Sequence, residues 1–349
     1  MATTATAASL FQASAGWLAA AAEKLRAAGI EVLAPIEREQ GRVDLAPLEG
    51  RNGLAANYLN TVLPLKRLSF PETEVILNYD KRENKDVALD VPSAPAGERV
   101  VLGCRPCDAS ALAALDQVFE WDYDDVRYRQ HRERTTVVAF ACTEPDGHCF
   151  CTSVGGSPQG EAGSDVLAYP TKDGGALLKP LTEKGAQLME RLEGVVQPAP
   201  EGAKLPAPPL VKPKFDPDKV KPWLDEHFED AFWTEATLAC VGCGACSYLC
   251  PTCHCFDIVD EAVWNRGERR RNWDCCSFSL FTLHASGHNP RASQAARYRQ
   301  RVMHKFKYFP ERFGRLACVG CGRCVRTCGV GQSLVAVLAD IEARNGTGG

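Results

Sequence analysis

The chain has 349 residues, of which 45% are hydrophobic and 24% charged, a composition typical of a globular protein with room for two domains. Its formal net charge of -4 argues against a protein devoted to nucleic acid, and without a run of eighteen apolar residues we expect no membrane span. The 17 cysteines depart from average composition; they indicate metal binding in a reducing compartment, so we expect a cytoplasmic protein.

The first half of the sequence predicts alternating strands and helices. Residues 1–22 lack a basic stretch before their apolar residues, so we expect a ragged start that leads into a helix and not a signal peptide. Asp108 is the expected N-cap of a helix. The predicted strands cover 31–36, 74–78, 100–103, 135–141, 165–169 and 176–179, and the predicted helices cover 14–28, 108–119 and 182–192. This alternation predicts an α/β domain over residues 1–196.

The second half predicts a linker and then helices. Residues 197–222 are rich in proline, which disfavours helix and favours an extended connection between domains. A helix is expected after Asn289-Pro290, with Asn289 as its N-cap, and a last helix is expected from Ser333. We therefore predict that residues 223–349 form an all-α domain, which makes the fold class α+β with two domains.

Two cysteine runs with the same spacing are the strongest chemical signal in the sequence. The first reads C-V-G-C-G-A-C-S-Y-L-C-P from Cys240 to Pro251, and the second begins at Cys318. Three thiolates at two-residue intervals bind one 4Fe-4S cluster, and the fourth cysteine of such a run ligates the other cluster. Zinc usually takes two ligand pairs separated by a long spacer, and disulfides need an oxidising compartment, so neither alternative suits this spacing. The expected ligands are Cys240, Cys243, Cys246 and Cys328 for one 4Fe-4S cluster, and Cys318, Cys321, Cys324 and Cys250 for the other.

Basic residues are concentrated around the second run. Between Arg266 and Arg326 the chain has fourteen Lys or Arg and only three acidic residues. Such a stretch is usually a solvated face. Two further interpretations are that these cations stabilise the reduced clusters and raise their potential, or that they dock an acidic partner surface.

These motifs resemble a known family. The stretches C-P-T-C-H-C-F-D-I, R-R-N-W-D-C-C-S-F and G-C-R-P-C-D are similar to the iron–sulfur β subunits of cytoplasmic sulfhydrogenases and to an iron–sulfur subunit of anaerobic sulfite reductase. The match spans most of residues 60–345, and the C-terminal part also resembles the α-helical ferredoxin domain of succinate dehydrogenase iron–sulfur subunits. Gly329 stands after Cys328 where proline would be usual, but proline donates nothing to iron, so the ligand assignment is unaffected.

A third 4Fe-4S cluster is expected in the N-terminal domain. Five cysteines lie at or near predicted strand ends, where adjacent loops of an α/β sheet meet, and a cluster needs four ligands. The alternatives are buried free thiols or a zinc site. The resemblance implies that the second cysteine of G-C-R-P-C-D is kept while Cys104 is replaceable. The favoured ligands are therefore Cys107, Cys142, Cys149 and Cys151, while Cys253, Cys255, Cys275 and Cys276 stay unassigned.

The functional expectation is an electron relay. The sequence has no G-x-G-x-x-G, P-loop or nucleophile elbow, and clusters held by four thiolates transfer single electrons, so the chain is not expected to be catalytic alone. The resemblance implies two partners in an oxidoreductase complex: one is a flavin- and NAD(P)-handling subunit, and the other is a catalytic subunit for a substrate such as hydrogen, sulfite or polysulfide. The alternatives are a self-contained reductase that uses the N-terminal cluster site, and a non-redox protein with structural clusters.

Overall fold

In a computed structural model of the chain, the strands form a mixed eight-stranded sheet and a smaller, antiparallel four-stranded sheet. The structure describes residues 10–48, 54–55, 57–82, 86–93 and 95–346, so residues 1–9 of the predicted N-terminal segment lie outside the described residues. The strands are β1 (Phe11–Ala13), β2 (Glu31–Glu37), β3 (Val43–Pro47), β4 (Thr73–Lys81), β5 (Val87–Asp90), β6 (Arg99–Cys104), β7 (Thr135–Phe140), β8 (Val166–Pro170), β9 (Ala176–Pro180), β10 (Val196–Pro198), β11 (Phe256–Val263) and β12 (Arg266–Trp273). The helices are α1 (Trp17–Ala27), α2 (Pro106–Phe119), α3 (Val126–Glu133), α4 (Glu183–Arg191), α5 (Pro217–Glu226), α6 (Phe232–Glu235), α7 (Ala245–Tyr248), α8 (Gln294–Met303), α9 (Phe309–Phe313), α10 (Arg323–Arg326) and α11 (Leu334–Gly346).

The large sheet has a parallel centre. Its strand order is β10-β1-β9-β8-β7-β6-β2-β3, in which β2, β6, β7 and β8 run parallel and the outer pairs are antiparallel. The central strands are covered on both faces and are therefore continuous apolar runs such as Val100, Val101 and Leu102. Helices α1 and α4 contribute Leu25 and Leu188 to one core, and α2 contributes to the other core. The carboxyl ends of β6, β7 and β8 lie at one edge, where ligands usually bind in such sheets.

The prediction of an all-α domain over residues 223–349 is wrong. Strands β11 and β12 form a hairpin, and β12 also pairs with β4 from the N-terminal half, giving the order β11-β12-β4-β5. The register places Thr73 opposite Asn272 and Phe256 opposite Trp273. Gly267 of β12 lies under the ring of Tyr79, where a Cβ atom would approach the ring to 2.3 Å. Strand β12 forms because β4 satisfies its backbone, although R-G-E-R-R-R-N-W has no apolar alternation.

Two predicted helix N-caps, Asp108 and Asn289, are also wrong. Helix α2 begins at Pro106, and Asp108 lies inside its first turn, where it is buried and paired with Arg323. Helix α8 is capped by Ser293, whose Oγ accepts a hydrogen bond of 3.2 Å from the backbone N–H of Ala296. Asn289 is therefore not the cap of that helix.

The proline-rich segment packs against the loop that holds three of the N-terminal cysteines. Val211 and Phe215 are buried, and the Thr152 hydroxyl donates a 2.9 Å hydrogen bond to the carbonyl of Val211. The backbone N–H of Lys214 donates to Ser153 Oγ over 2.7 Å. Since the two halves also share the β4–β12 pairing, the domain division remains a prediction. No helix among the residues described above is long and apolar enough to cross a membrane.

Candidate iron–sulfur sites

The first cysteine run surrounds a cavity together with the last cysteine of the second run. We name this cavity site A. Its thiols are Cys240, Cys243, Cys246 and Cys328, and Cys324 also lines it. Gly242 and Gly244 have φ values of 67° and 76°, a left-handed conformation that turns the loop into α7. A Cβ atom on Gly244 would lie 2.7 Å from the ring of Phe278, so this turn also requires glycine for packing.

The second run surrounds a neighbouring cavity, site B. Its thiols are Cys250, Cys318, Cys321 and Cys324. Gly320 and Gly322 have φ values of 64° and 75°, so this loop turns in the same way as the first. The structure thus brings the fourth cysteine of each run to the other run's cavity, as the spacing rule requires. The ligand assignment itself stays a prediction, which this placement supports.

The thiols surround cavities and do not converge on one point. Within the described ranges, no three His, Cys, Asp or Glu side chains are grouped as the ligands of a single metal ion. A 4Fe-4S cluster is larger than one ion, and its ligands are arranged around its outside. The thiols of sites A and B line the walls of their cavities in this way.

Arg301 lies between sites A and B and lines both cavities. Only 2% of its surface is exposed, and its Nη2 donates a 2.9 Å hydrogen bond to the carbonyl of Cys246. Its Nε and Nη1 atoms are buried with no hydrogen-bond partner among the described residues. An unpaired buried guanidinium is unfavourable, and the sulfur atoms of an anionic cluster would be suitable acceptors. The residues present therefore fit 4Fe-4S clusters in these two cavities.

Lys305 provides a second buried cation at site B. Its Nζ lies 3.3 Å from Cys250 Sγ, 3.1 Å from Thr252 Oγ1 and 2.8 Å from the carbonyl of Ala317. Burial alone would lower the pKa of Lys305, but electrostatic interactions, of which that with Cys250 is the largest, outweigh burial and raise it. A hydrogen bond from Cys253 is the main reason that the pKa of Cys250 lies well below its usual range; burial opposes this shift and Lys305 adds to it. The lowered pKa favours the thiolate form of Cys250, which is the form that binds metal.

Two more hydrogen bonds reach cysteine sulfur atoms at site A. Gln294 Nε2 lies 3.2 Å from Cys240 Sγ, and the backbone N–H of Gln332 lies 3.2 Å from Cys328 Sγ. Hydrogen bonds to ligand sulfur tune the potential of a cluster. The sequence predicts Arg301 and Lys305 only as two members of the basic stretch 266–326. Their burial beside the cysteines follows from the tertiary packing. Gln294 has no sequence signal of this kind.

The N-terminal cysteines are only partly brought together. We name the set Cys107, Cys142, Cys149 and Cys151 site C. Cys107 and Cys151 line one cavity, and Cys142 lies within electrostatic range of both. Cys149 interacts instead with Asp146, which accepts a 3.0 Å hydrogen bond from its backbone N–H. Burial is the main reason that the pKa of Cys149 rises to about 12.

Site C lies beside site B. Cys107 packs against Cys321 and Val319, and the backbone N–H of Phe150 donates a 2.9 Å hydrogen bond to the carbonyl of Gly320. The fifth N-terminal cysteine, Cys104, is buried within the sheet, where its thiol lies 3.9 Å from the carbonyl of Val138. Sites C, B and A therefore form a row in which each site has a neighbour at contact distance.

Comparisons with known proteins support iron–sulfur binding by this chain. A family model described as a 4Fe-4S dicluster domain matches residues 239–332, which include all eight cysteines of sites A and B. The chain is thereby an iron–sulfur protein with an electron-transfer role. It is similar to sulfhydrogenase 2 subunit beta of Pyrococcus furiosus, with 28% identity over 304 residues that cover 83% of this chain and 86% of that protein. The resemblance to an iron–sulfur β subunit predicted from the sequence is confirmed. No solved structure shows a significant match.

Proposed function

We propose that the chain is the electron-relay subunit of a multi-subunit oxidoreductase, with clusters held at sites A, B and C. The observation that best supports this is the row of three thiol-lined sites with the unpaired guanidinium of Arg301 between two of them. A bound 4Fe-4S cluster accepts and donates one electron at a time. Relay through adjacent sites requires short separations, which the shared lining of sites A and B by Cys324 provides.

The protein residues around the sites have three tasks in this proposal. The thiolates hold iron, and the cysteine runs and site C supply twelve candidates for this role. Arg301 and Lys305 place positive charge against the sulfur atoms, which stabilises a more negative reduced state. The buried rings of Phe150 and Phe306 belong to the apolar core around these sites and exclude water from it.

The partners are proposed from the relative. That protein is by name one component of a sulfhydrogenase. We infer that this chain likewise works in the cytoplasm between a subunit that handles flavin and NAD(P) and a catalytic subunit that acts on hydrogen, sulfite or sulfur. Nothing in this proposal makes the chain catalytic alone.

Metal analysis of the protein purified without oxygen tests the proposal. Three clusters predict about 12 iron atoms and as many acid-labile sulfides per chain, with reduced-cluster signals in electron paramagnetic resonance. About 8 iron atoms would remove the cluster at site C and leave a two-cluster relay. Zinc in place of iron, or iron that no reductant reduces, would contradict electron transfer.

A self-contained reductase is the second candidate because a large cavity opens at site C. The cavity has a volume of about 760 Å³ and is lined by Cys107, Cys151, Ser157 and Arg315 among others. Steady-state reduction of sulfite or polysulfide by the isolated chain with a chemical electron donor would favour this candidate. Reduction of the clusters without turnover favours the relay.

A further inference from the structure

Three cysteines outside sites A, B and C lie together at the open end of the β11–β12 hairpin. Cys255 precedes β11, and Cys275 and Cys276 follow β12. The hairpin brings them together because Phe256 pairs with Trp273 and the backbone N–H of Asp274 donates a 3.0 Å hydrogen bond to the carbonyl of Cys255. The position of these thiols is therefore fixed by the strand register.

Cys276 interacts with both of the other thiols. Its thiol interacts with the sulfurs of Cys255 and Cys275, and its backbone also interacts with the Cys255 sulfur. Cys275 faces the site A loop, where its sulfur lies 3.9 Å from the carbonyl of Gly244. Cys275 and Cys276 are buried, whereas Cys255 is half-buried and is followed by Phe256, which is 40% exposed. A small molecule from solvent would therefore meet Cys255 before Cys276.

The two thiols differ in acidity. The hydrogen bond from Cys276 is the main reason that the pKa of Cys255 falls to about 7, while burial opposes the shift. The same interaction is the largest cause of the raised pKa of Cys276, about 11. A thiolate near neutral pH beside a protonated thiol is the pairing that thiol–disulfide exchange requires.

We propose that Cys255 and Cys276 are a redox-active thiol pair that reacts with small disulfide compounds, with Cys255 as the attacking thiol and Cys276 as the resolving thiol. In the first step a Cys255–substrate S–S bond forms, the substrate S–S bond breaks, and the released thiolate takes the proton of Cys276. In the second step Cys276 attacks the Cys255 sulfur and expels the second thiolate, which is protonated from solvent. One disulfide is thus reduced to two thiols while the protein pair is oxidised to one disulfide.

The test uses the anaerobically purified holoprotein equilibrated with different ratios of 2-mercaptoethanol and 2-hydroxyethyl disulfide. Acid quenching, maleimide alkylation and peptide mapping then report the state of each cysteine. We expect the fraction of chains with a Cys255–Cys276 disulfide to follow a single two-electron redox equilibrium as the ratio changes. The iron content per chain should stay constant. Full alkylation of both cysteines at every ratio would overturn the proposal.

Three variants separate the roles of the thiols. Cys276→Ser is expected to accumulate a mixed disulfide on Cys255, and Cys255→Ser is expected to form neither the mixed disulfide nor the internal one. Cys275→Ser is the matched control, and it should form the Cys255–Cys276 disulfide as the unmodified chain does. A loss of about four iron atoms in Cys255→Ser or Cys276→Ser would identify these residues as cluster ligands and overturn the proposal. Because these readouts follow thiols, they hold or fail independently of electron transfer through sites A, B and C.

Discussion

Arg301 is a buried cation whose charge is balanced by sulfur and not by a carboxylate. The salt bridges of the described residues include none to Arg301, and its electrostatic neighbours are Cys246, Cys324, Cys253 and Cys250. Burial of the guanidinium favours loss of its proton, but the negative sulfurs outweigh this and raise its pKa. The charge of Arg301 is therefore permanent and acts on both cavities.

Removing this charge should lower the potentials of two clusters together. In Arg301→Gln we expect the midpoint potentials at sites A and B to fall by on the order of 60 mV, equivalent to about 1.4 kcal/mol for one electron. The reason is that a nearby cation favours the more negative reduced state. A redox titration followed by electron paramagnetic resonance measures the change. The matched control is Arg299→Gln on the same helix, whose guanidinium pairs with Glu229 over 2.7 Å; unchanged potentials in Arg301→Gln would contradict this role.

Gly320 is the residue at which sites B and C meet most closely. Its φ is 64°, and a Cβ atom there would lie 2.4 Å from the backbone nitrogen of Cys151. We expect Gly320→Ala to destabilise the protein by about 3 kcal/mol and to lower the iron content of sites B and C. Anaerobic thermal unfolding and iron analysis measure both effects. Gly329→Ala is the control, since a Cβ atom there meets nothing within 4 Å; equal behaviour of the two variants would contradict the packing argument.

At the scale of elements, the small sheet depends on a buried ionic network. Arg271 of β12 donates to Glu74 of β4 over 2.7 Å and also pairs with Asp125, the N-cap of α3. His131 of α3 lies 3.1 Å from the same Glu74 carboxylate. These contacts join β4 and β12 of the small sheet to helix α3.

Loss of the Glu74 charge should therefore lower the free energy of unfolding by an amount that depends on pH. Burial raises the pKa of Glu74, but hydrogen bonds from His131 and Arg271 outweigh burial and hold it below 4.5. Because its pKa is lower in the folded state, the Glu74 carboxylate contributes its full stabilisation above about pH 4.5. This contribution is lost as the pH falls through the folded-state pKa. We expect Glu74→Gln to cost about 3 kcal/mol at pH 7 and at pH 5.5, and less below pH 4.5. Urea unfolding measures this.

The exposed carboxylate of Glu72 provides the control for that comparison. It pairs with Arg67 over 3.1 Å at 39% exposure. Exposed pairs contribute little because water screens them. Glu72→Gln should thus be close to neutral at each pH, and an equal loss in both variants would contradict the importance of the buried network.

The sequence predicts some of these elements well and others not at all. The apolar runs at 100–103 and 135–141 coincide with β6 and β7, because a strand buried on both faces must be apolar. Strand β12 has no such pattern, since Arg271 pairs with Glu74 and Asp125, and the ring of Tyr79 covers Gly267; all three partners come from distant parts of the chain. The cysteine spacing likewise predicts which thiols line sites A and B, because three of the four thiols in each set lie within one short run. The placement of Cys149 beside Asp146 depends on loop packing, which no spacing rule describes.

At the scale of the whole molecule, a second buried ionic contact joins the two halves of the chain. Arg323 of α10 forms two 2.8 Å hydrogen bonds with the carboxylate of Asp108 in α2, and both side chains are 2% exposed. Arg323 also donates to the carbonyl of Thr61 over 2.9 Å. Asp108 directly follows Cys107 and Arg323 directly precedes Cys324 in the sequence, so the pair fixes the position of site C relative to site B.

Breaking this pair should destabilise the whole chain. We expect Asp108→Asn to cost about 3 to 5 kcal/mol, because it leaves the Arg323 charge buried without its counterion. The double variant Asp108→Leu with Arg323→Met should lose less stability than Arg323→Met alone, since it removes both charges. Anaerobic unfolding of the single and double variants measures the coupling. Additive losses would show that the two side chains act independently.

The pairing of β4 with β12 has a consequence for how the protein is made. Thr73 and Asn272, which are hydrogen-bonded across these strands, are 199 positions apart. At the usual rate of synthesis, about 5–20 residues per second, β4 is exposed for roughly 10–40 s before its partner leaves the ribosome. During that time its free edge is able to pair with other chains, so nascent chains should depend on chaperones that shield it. Cys318 and the rest of the second cysteine run emerge later still, so a cluster at site B would be inserted only after both β4 and β12 have left the ribosome.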